Sequence, residues 1–301
     1  MPKIWQNSDA CGFEGGAVSE PVVPPAPGSA PSQAVYLCQI SETVSCGACC
    51  GLYNIKSLSQ DRLEALLSSR TQAFASVPRT EDDIYAFQQK IERSLPKEKP
   101  FPEFHHCPFV GLIGADKNRI GCLLHPNASG NEGKDFRWMS WYGAMACRIY
   151  FCPTSRMLPP VYQMIIRETI DHWYLYGLII TEHRLLAAFF RETEMRMARK
   201  IVASDFNENR KARAIFREFA GLKLDWPYRQ ENAPGPCHHV FDNGEYPRPN
   251  VQRANSAIPL SRYEDIFREL DSGFLTTEAM FSAEARLDDL FARLVTVLSF
   301  P

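Results

Sequence analysis

The chain lacks the short motifs that identify the common nucleotide-dependent and hydrolytic enzymes. It contains no Walker loop, no Rossmann glycine fingerprint, no Gly-x-Ser-x-Gly elbow and no His-Glu-x-x-His motif. Each of these motifs places a phosphate, a nucleophile or a catalytic metal, so their absence counts against those enzyme classes. The sequence leaves open whether the protein is an enzyme.

The chain also lacks a strong net charge and a long apolar run. Its formal net charge is −2 at pH 7, so no overall field attracts nucleic acid or an anionic membrane. The most apolar run, residues 175–180, is too short to span a bilayer. The first residues lack the apolar segment of a secretion signal. We therefore expect a cytoplasmic protein that binds neither membrane nor nucleic acid.

Cysteine, by contrast, is abundant and clustered. The chain has ten cysteines, three of them in the turn Cys46-Gly-Ala-Cys49-Cys50. Structural disulfides are rare in a reducing compartment, so clustered thiols there indicate metal or redox chemistry. Thiolate is a soft ligand that prefers zinc, copper(I) or iron–sulfur clusters. The candidate metal ligands are this turn and four later thiols: Cys46, Cys49, Cys50, Cys107, Cys122, Cys147 and Cys152.

Seven thiols exceed the needs of one site, because a single zinc ion and a cubane [4Fe–4S] cluster each take four ligands. The spacing does not decide how they are shared, and one cluster drawing on all seven stays open. One arrangement combines the C-x-x-C pair with two later cysteines: Cys46, Cys49, Cys107 and Cys122.

Cys50 directly follows a ligand of that arrangement, so its side chain points elsewhere and reaches a different metal atom or a second centre. It would share that centre with Cys147 and Cys152. Cys38, His125 or an exogenous ligand would complete the set. The remaining cysteines, Cys11 and Cys237, are predicted not to bind metal, although His238 and His239 follow Cys237 directly.

The order of C-G-x-C-C, C-x14-C and C-R-x-Y over about residues 38–155 resembles a bacterial family named for its CxxCxxCC motif. That family is described as a zinc- or iron-chelating domain, and its members are often labelled iron–sulfur proteins. The resemblance implies metal binding and names no reaction. Two positions depart from the family pattern: Thr43 stands where its first cysteine is found, and His125-Pro126 where Arg-Pro usually precedes the C-R segment.

The leading functional hypothesis is therefore an iron–sulfur protein with a redox or cluster-dependent role, served by a redox partner. Cys152-Pro153 is a hint towards iron, because ferredoxin cluster motifs end in Cys-Pro. The alternative is a structural zinc module whose helical half binds a protein partner. A metal-dependent enzyme with an open coordination position is a third possibility.

The predicted fold class is mainly α (α+β), with three regions. Residues 1–34 are rich in Pro, Gly and Ala and predict a flexible tail. Residues 35–155 are predicted to form a small cysteine-rich domain that starts with a short strand at 35–40. Residues 156–301 are predicted to form a helical domain with a long irregular loop at about 226–258.

Local signals in the cysteine-rich region predict two helices and a hairpin. Ser57 fits the N-cap of a capping box at the start of the first helix, and the second is expected to begin near Thr80. Two short apolar runs flank the polar turn at residues 114–119, which predicts a β-hairpin. The hairpin would bring Cys107 and Cys122 near each other, one on each arm.

The second half predicts long helices. Apolar residues at helical spacing indicate five of them, with Gly177 as the break between the first two: 161–176, 178–201, about 208–222, about 261–270 and 277–299.

These helices carry several Glu and His residues, which raises the question of a di-iron carboxylate site. That chemistry uses paired Glu-x-x-His motifs, and these helices have none. The sequence therefore predicts ordinary surface residues at these positions: Glu168, His172, Glu182, His183 and Glu192.

Overall fold

The structure, a computed structural model, describes residues 35–56, 59–95, 98–143, 147–148, 150–238 and 250–299. Within these ranges the protein is mainly α, with ten helices and two small sheets, which confirms the predicted fold class. The predicted tail lies outside the described residues. The helices are α1 (Gln60–Ala75), α2 (Glu81–Ser94), α3 (Pro153–Met157), α4 (Pro160–Thr169), α5 (Trp173–Ile179), α6 (His183–Met197), α7 (Ser204–Asn207), α8 (Arg210–Asp225), α9 (Glu264–Glu269) and α10 (Thr277–Ser299).

The two helices of the cysteine-rich region form as their sequences predict, apart from one cap. Helix α1 begins at Gln60 with Ser59 at the N-cap, and the predicted cap Ser57 lies outside the described residues. Helix α2 begins after Thr80, whose hydroxyl accepts a hydrogen bond from the Asp83 N–H at 3.2 Å. This side chain satisfies one of the N–H groups that a helix start leaves without a partner.

The predicted hairpin is confirmed. Strands β1 (Val110–Ile113) and β2 (Arg119–Cys122) pair antiparallel, with Val110 opposite Cys122. Cys107 lies three residues before β1 rather than on the arm itself. The Thr71 hydroxyl of α1 bonds both the N–H of Leu112, at 2.8 Å, and its carbonyl, at 3.2 Å. Helix α1 thereby covers the free edge of β1.

The strand predicted for residues 35–40 is reduced to one isolated bridge between Gln39 and Ser45. The Ser45 hydroxyl donates to the Ile120 carbonyl and accepts from its N–H, both at 2.8 Å. This serine joins the chain before the cysteine turn to strand β2. The cysteine turn is thus held by side-chain bonds instead of a longer sheet.

The first long helix predicted in the second half is divided at residues 170–172 into α4 and α5, so the predicted break at Gly177 is wrong. Gly177 lies inside α5, where a Cβ atom would be 2.1 Å from the Tyr53 hydroxyl oxygen. That hydroxyl donates to the carbonyls of Trp173 and Tyr174. Gly177 therefore allows a close approach between the helix and the cysteine-rich region.

The largest core lies among α6, α8 and α10, where Phe189, Phe216, Phe219 and Phe291 pack ring against ring. Helix α10 has the bounds that its periodicity predicts. Within the region predicted as an irregular loop, β3 (Gln252–Arg253) pairs in parallel with β4 (Gly273–Phe274), and residues 239–249 lie outside the described part.

Candidate metal-binding thiol sets

Nine of the ten cysteines lie in the described part of the chain, and none of these nine is in a disulfide. Cys11 lies outside it. The candidate ligands are mostly buried or half-buried, and Cys147 alone among them is exposed. Hydrogen bonds and the electrostatic influence of each thiol on its neighbours group eight of the nine into two sets of four. The last-named influences cross between the sets, from Cys50 on Cys49 and from Cys46 on Cys50.

The first thiol set consists of Cys38, Cys46, Cys49 and Cys152. The Cys46 N–H donates to the Cys38 carbonyl at 2.8 Å, which holds the two residues side by side. Burial raises the pKa of Cys49, and the charges of Cys46, Cys152 and Cys38 raise it further. Burial and then Cys152 raise the pKa of Cys38 to about 12. These influences place all four thiols around one buried region.

The second thiol set consists of Cys50, Cys107, Cys122 and Cys147. The Cys107 N–H donates to the Cys50 carbonyl at 2.8 Å, and both side chains contact one apolar cluster with Cys122. Burial is the largest cause that raises the pKa of Cys50. The charges of Cys107, Cys122 and Cys147 raise it further. The hairpin thus brings its cysteines to Cys50.

The division between the sets falls at the peptide bond between Cys49 and Cys50. Both residues lie in a 3-10 turn, Ala48–Cys50, that ends at Gly51 in the left-handed region, with φ +71°. A Cβ atom on Gly51 would be 2.2 Å from the His105 carbonyl oxygen, so glycine is required there. The two adjacent thiols have different main thiol neighbours, and the hypothesis that Cys50 serves a different metal atom stays a prediction.

The membership of the sets differs from the arrangement considered from spacing. Cys107 and Cys122 group with Cys50 instead of with Cys46 and Cys49. Cys38, one of the residues proposed to complete a set, joins the first set. His125, the other, groups with neither: its pKa is lowered by burial and by Arg137, and no thiol contributes. Spacing gave no information on these pairings, because they depend on contacts between distant segments.

Four of the eight thiols accept hydrogen bonds from backbone N–H groups two residues ahead. The Ala48 N–H lies 3.4 Å from Cys46 Sγ. Similar N–H donors lower the thiol pKa against burial in both sets, at Cys107, Cys122 and Cys152. N–H donors stabilise an ionised sulfur, and hydrogen bonds to the sulfurs tune bound clusters. The backbone is therefore arranged for thiolates in both sets.

The thiols match the ligand number of a metal centre, and they can also supply the negative charge that a metal ion needs once they lose their protons. Burial raises the pKa of the candidate ligands that shift, so without a metal they are neutral thiols. A bound metal would displace those protons, because thiolate is the ligand form. Within the described residues, no three cysteine sulfurs lie within 4.8 Å of one another.

Cys237 is the ninth described thiol and belongs to neither set. It is buried in the cluster that contains Tyr53 and Leu178. Its charge is the weakest of the influences on the pKa of Cys46. The prediction that Cys237 does not bind metal stays a prediction.

A different group of metal-ligating side chains lies in the helical core. Glu182, His238 and Glu269 place one ligand atom each within 4.8 Å of the others. Glu182 precedes α6 and is 4% exposed, and the adjacent His183 is also buried. The prediction of surface residues is therefore wrong for these two positions, because α8 and α9 pack over the start of α6.

This group already holds its own cations. Lys223 Nζ, fully buried, donates to Glu182 Oε2 at 3.0 Å and to the Glu269 carbonyl at 2.9 Å. His238 Nε2 lies 2.8 Å from Asp271 Oδ2, and the His238 backbone N–H donates to Glu182 Oε1 at 3.0 Å. Glu269 Oε1 has no hydrogen-bond partner. We call these five residues the core charge network.

The core charge network is balanced by its own cations when no metal is bound. Burial and Lys223 lower the pKa of His238, but Glu182 and the hydrogen bond with Asp271 outweigh them and raise it to about 10. The Lys223 ammonium and the His238 ring thus face the carboxylates of Glu182 and Asp271. We interpret the network as a buried salt-bridge cluster.

No helix in the described part of the chain has the length and apolar character needed to cross a lipid bilayer. Comparison of the chain with protein-family models, with curated proteins and with solved structures finds no match. The resemblance to the CxxCxxCC family therefore depends on the quoted residues alone. The fold and the site define a mainly α protein with two sets of clustered thiols.

Proposed function

We propose that this protein binds metal through its two thiol sets, and that each set carries an iron–sulfur cluster with a redox or cluster-dependent role. The observation that carries this proposal is the grouping of the thiols on either side of the Cys49–Cys50 peptide bond. Cys38 and Cys46 are joined by one backbone hydrogen bond, Cys50 and Cys107 by another, and Cys122 packs in the same cluster as Cys50 and Cys107. Four is the ligand number of both a tetrahedral zinc ion and a cubane cluster.

The preference for clusters over single zinc ions comes from the sequence. Cys152-Pro153 matches the Cys-Pro that ends ferredoxin cluster motifs, and members of the CxxCxxCC family are often labelled iron–sulfur proteins. When bound, an iron–sulfur cluster supplies one-electron redox chemistry, which the N–H donors to the sulfurs would tune.

The test is purification without oxygen, followed by measurement of iron, sulfide and zinc. We expect a brown protein that absorbs near ~400 nm and bleaches on reduction. Cys49→Ser and Cys50→Ser should each remove about half of the metal, because the two thiols serve different centres with four ligands each.

Cys237→Ser is the matched control, since this buried thiol belongs to neither set, and it should keep the full metal content. Colourless protein with stoichiometric zinc would overturn the iron–sulfur assignment. Complete loss of metal in both Cys49→Ser and Cys50→Ser would overturn the division into two centres.

A structural zinc module, with a helical half that binds a protein partner, is the second candidate. The observation that favours this candidate is the scarcity of regular secondary structure around the cysteine turn. Residues 35–56 have one isolated bridge and one 3-10 turn. In such a segment metal binding would supply folding energy. Chelation should then abolish the protection of residues 35–56 from hydrogen exchange. An apoprotein that keeps its full thermal stability would exclude this function.

A further inference from the structure

Arg70 is a buried arginine at the second thiol set. It lies on the inner face of α1 and is 2% exposed. Its Nη1 donates to the Cys107 carbonyl at 3.2 Å and to the Val110 carbonyl at 3.0 Å. Its Nη2 lies 3.1 Å from His106 Nε2. The guanidinium is thus held beside Cys107 and the first residue of β1.

This cation has no carboxylate partner among the described residues. Its hydrogen bonds go to two neutral carbonyls and to one histidine, and its Nε has no partner. His106 does not supply a negative charge. A buried charge without a counter-charge is strongly unfavourable, so the position calls for a buried anion.

The second thiol set becomes that anion when it binds metal. Four thiolates around one zinc ion carry a net charge of about −2, and cluster centres with four thiolates are anionic as well. The guanidinium bonds the Cys107 carbonyl directly, and the Cys107 N–H donates to the Cys50 carbonyl at 2.8 Å. The buried cation therefore lies at the segment that would carry two of these thiolates.

The first thiol set has a different cation nearby. Arg167 donates to the Tyr36 carbonyl at 3.3 Å, close to Cys38. Its side chain is about a third exposed and pairs with Glu168 at 3.6 Å. Water and this carboxylate screen its charge. The two centres therefore differ in their electrostatic surroundings.

We propose that Arg70 is the counter-charge of the metal centre held by the second thiol set, and that it raises the affinity and the reduction potential of that centre relative to the first. The inference depends on the proposed function for the presence of metal, but applies to zinc as well as to iron. Arg70 acts through the field of its charge and through its bonds to the Cys107 segment, so it is a positioning residue.

The test compares thermal unfolding of the metal-loaded and the metal-free protein. Metal loading should raise the melting temperature of the wild type more than that of Arg70→Met. Arg70→Lys keeps the charge and should restore most of the difference. A purely structural arginine would lower the melting temperature of both forms equally in Arg70→Met, and that outcome would overturn the proposal.

The matched control is Arg79→Met. Arg79 stacks on Phe74 at 4.2 Å and bonds Asn131 at 2.7 Å, and no thiol influences its pKa. Its removal should leave the effect of metal loading unchanged. A loss in this variant as large as in Arg70→Met would also overturn the role of Arg70.

If the metal is iron, stepwise reduction with dithionite adds one electron to each cluster, and a potentiometric titration resolves the two. Arg70→Met should make one cluster at least tenfold harder to reduce, which is about 59 mV for one electron, and leave the other unchanged. Protein without any metal would overturn the proposed function together with this inference. This inference alone would be overturned if the protein binds two metal centres but metal loading raises the melting temperature of Arg70→Met as much as that of the wild type.

Discussion

The two thiol sets and the core charge network are both buried groups of metal-ligating side chains, but they differ in charge balance. In the network, Lys223 and the protonated His238 already face the carboxylates of Glu182 and Asp271. In the thiol sets, burial raises the pKa of the buried sulfurs such as Cys46 and Cys50, and the buried Arg70 faces no carboxylate among the described residues.

Short distances between ligand atoms do not by themselves define a metal site. The network has three ligand atoms within 4.8 Å, yet a metal there would have to displace a buried ammonium and a proton. The thiol sets are more widely spaced, yet they can exchange protons for a metal and leave Arg70 with an anion. Charge balance favours the thiols.

The largest effect in this comparison is expected for Lys223→Met. The substitution keeps most of the side-chain volume but leaves the Glu182 carboxylate buried without its ammonium partner. Breaking a buried pair in this way lowers the free energy of unfolding by about 3–5 kcal/mol. Denaturant unfolding followed by circular dichroism measures it. The metal content should not change.

Lys200→Met is the exposed counterpart, because Lys200 is 86% exposed and pairs with Glu194 at 2.7 Å. Its loss should cost about 0–1 kcal/mol. Recovery of Lys223→Met by added zinc or manganese would break the comparison, because the core charge network would then be a cation site.

A smaller effect is expected from the pH dependence of the network. The pKa of His238 is about 10 in the folded protein and about 6.5 in the unfolded chain. The folded state therefore binds this proton more tightly. The stabilisation is complete below about pH 6.5 and is lost as the pH rises towards 10. The free energy of unfolding of the wild type should therefore decrease as the pH rises. In His238→Gln the decrease between pH 7 and pH 10 should be smaller by on the order of 1–3 kcal/mol.

The measurement is the free energy of unfolding at several pH values, as the difference between variant and wild type. His172→Gln is the control, since His172 is half-exposed and caps α5 by accepting from the Tyr174 N–H at 3.2 Å. It should lower stability through the loss of this cap. An equal slope in His238→Gln and the wild type would mean that His238 is neutral in the folded protein.

The sequence predicted those parts of the structure that depend on neighbouring residues. The cap at Thr80, the hairpin around residues 114–119 and the helix Thr277–Ser299 all have local signals. The membership of the two thiol sets does not, because it depends on contacts between distant segments, such as the hydrogen bond between the Cys107 N–H and the Cys50 carbonyl. The core charge network was missed because Lys223 and Glu182 are 41 residues apart and neither has a local signal of pairing.

A modest effect is expected within the thiol region, for Thr71→Val. The Thr71 hydroxyl satisfies both backbone groups of Leu112 on the outer edge of β1. Valine has a similar shape but no hydroxyl, so a buried N–H and a carbonyl lose their partner, which costs about 1–2 kcal/mol. Thr71→Ser keeps the hydroxyl and should lose less. Because Thr71 is not a metal ligand, the loss should be equal with metal and after chelation. A loss confined to the metal-free protein would mean that the metal, and not α1, holds the hairpin in place.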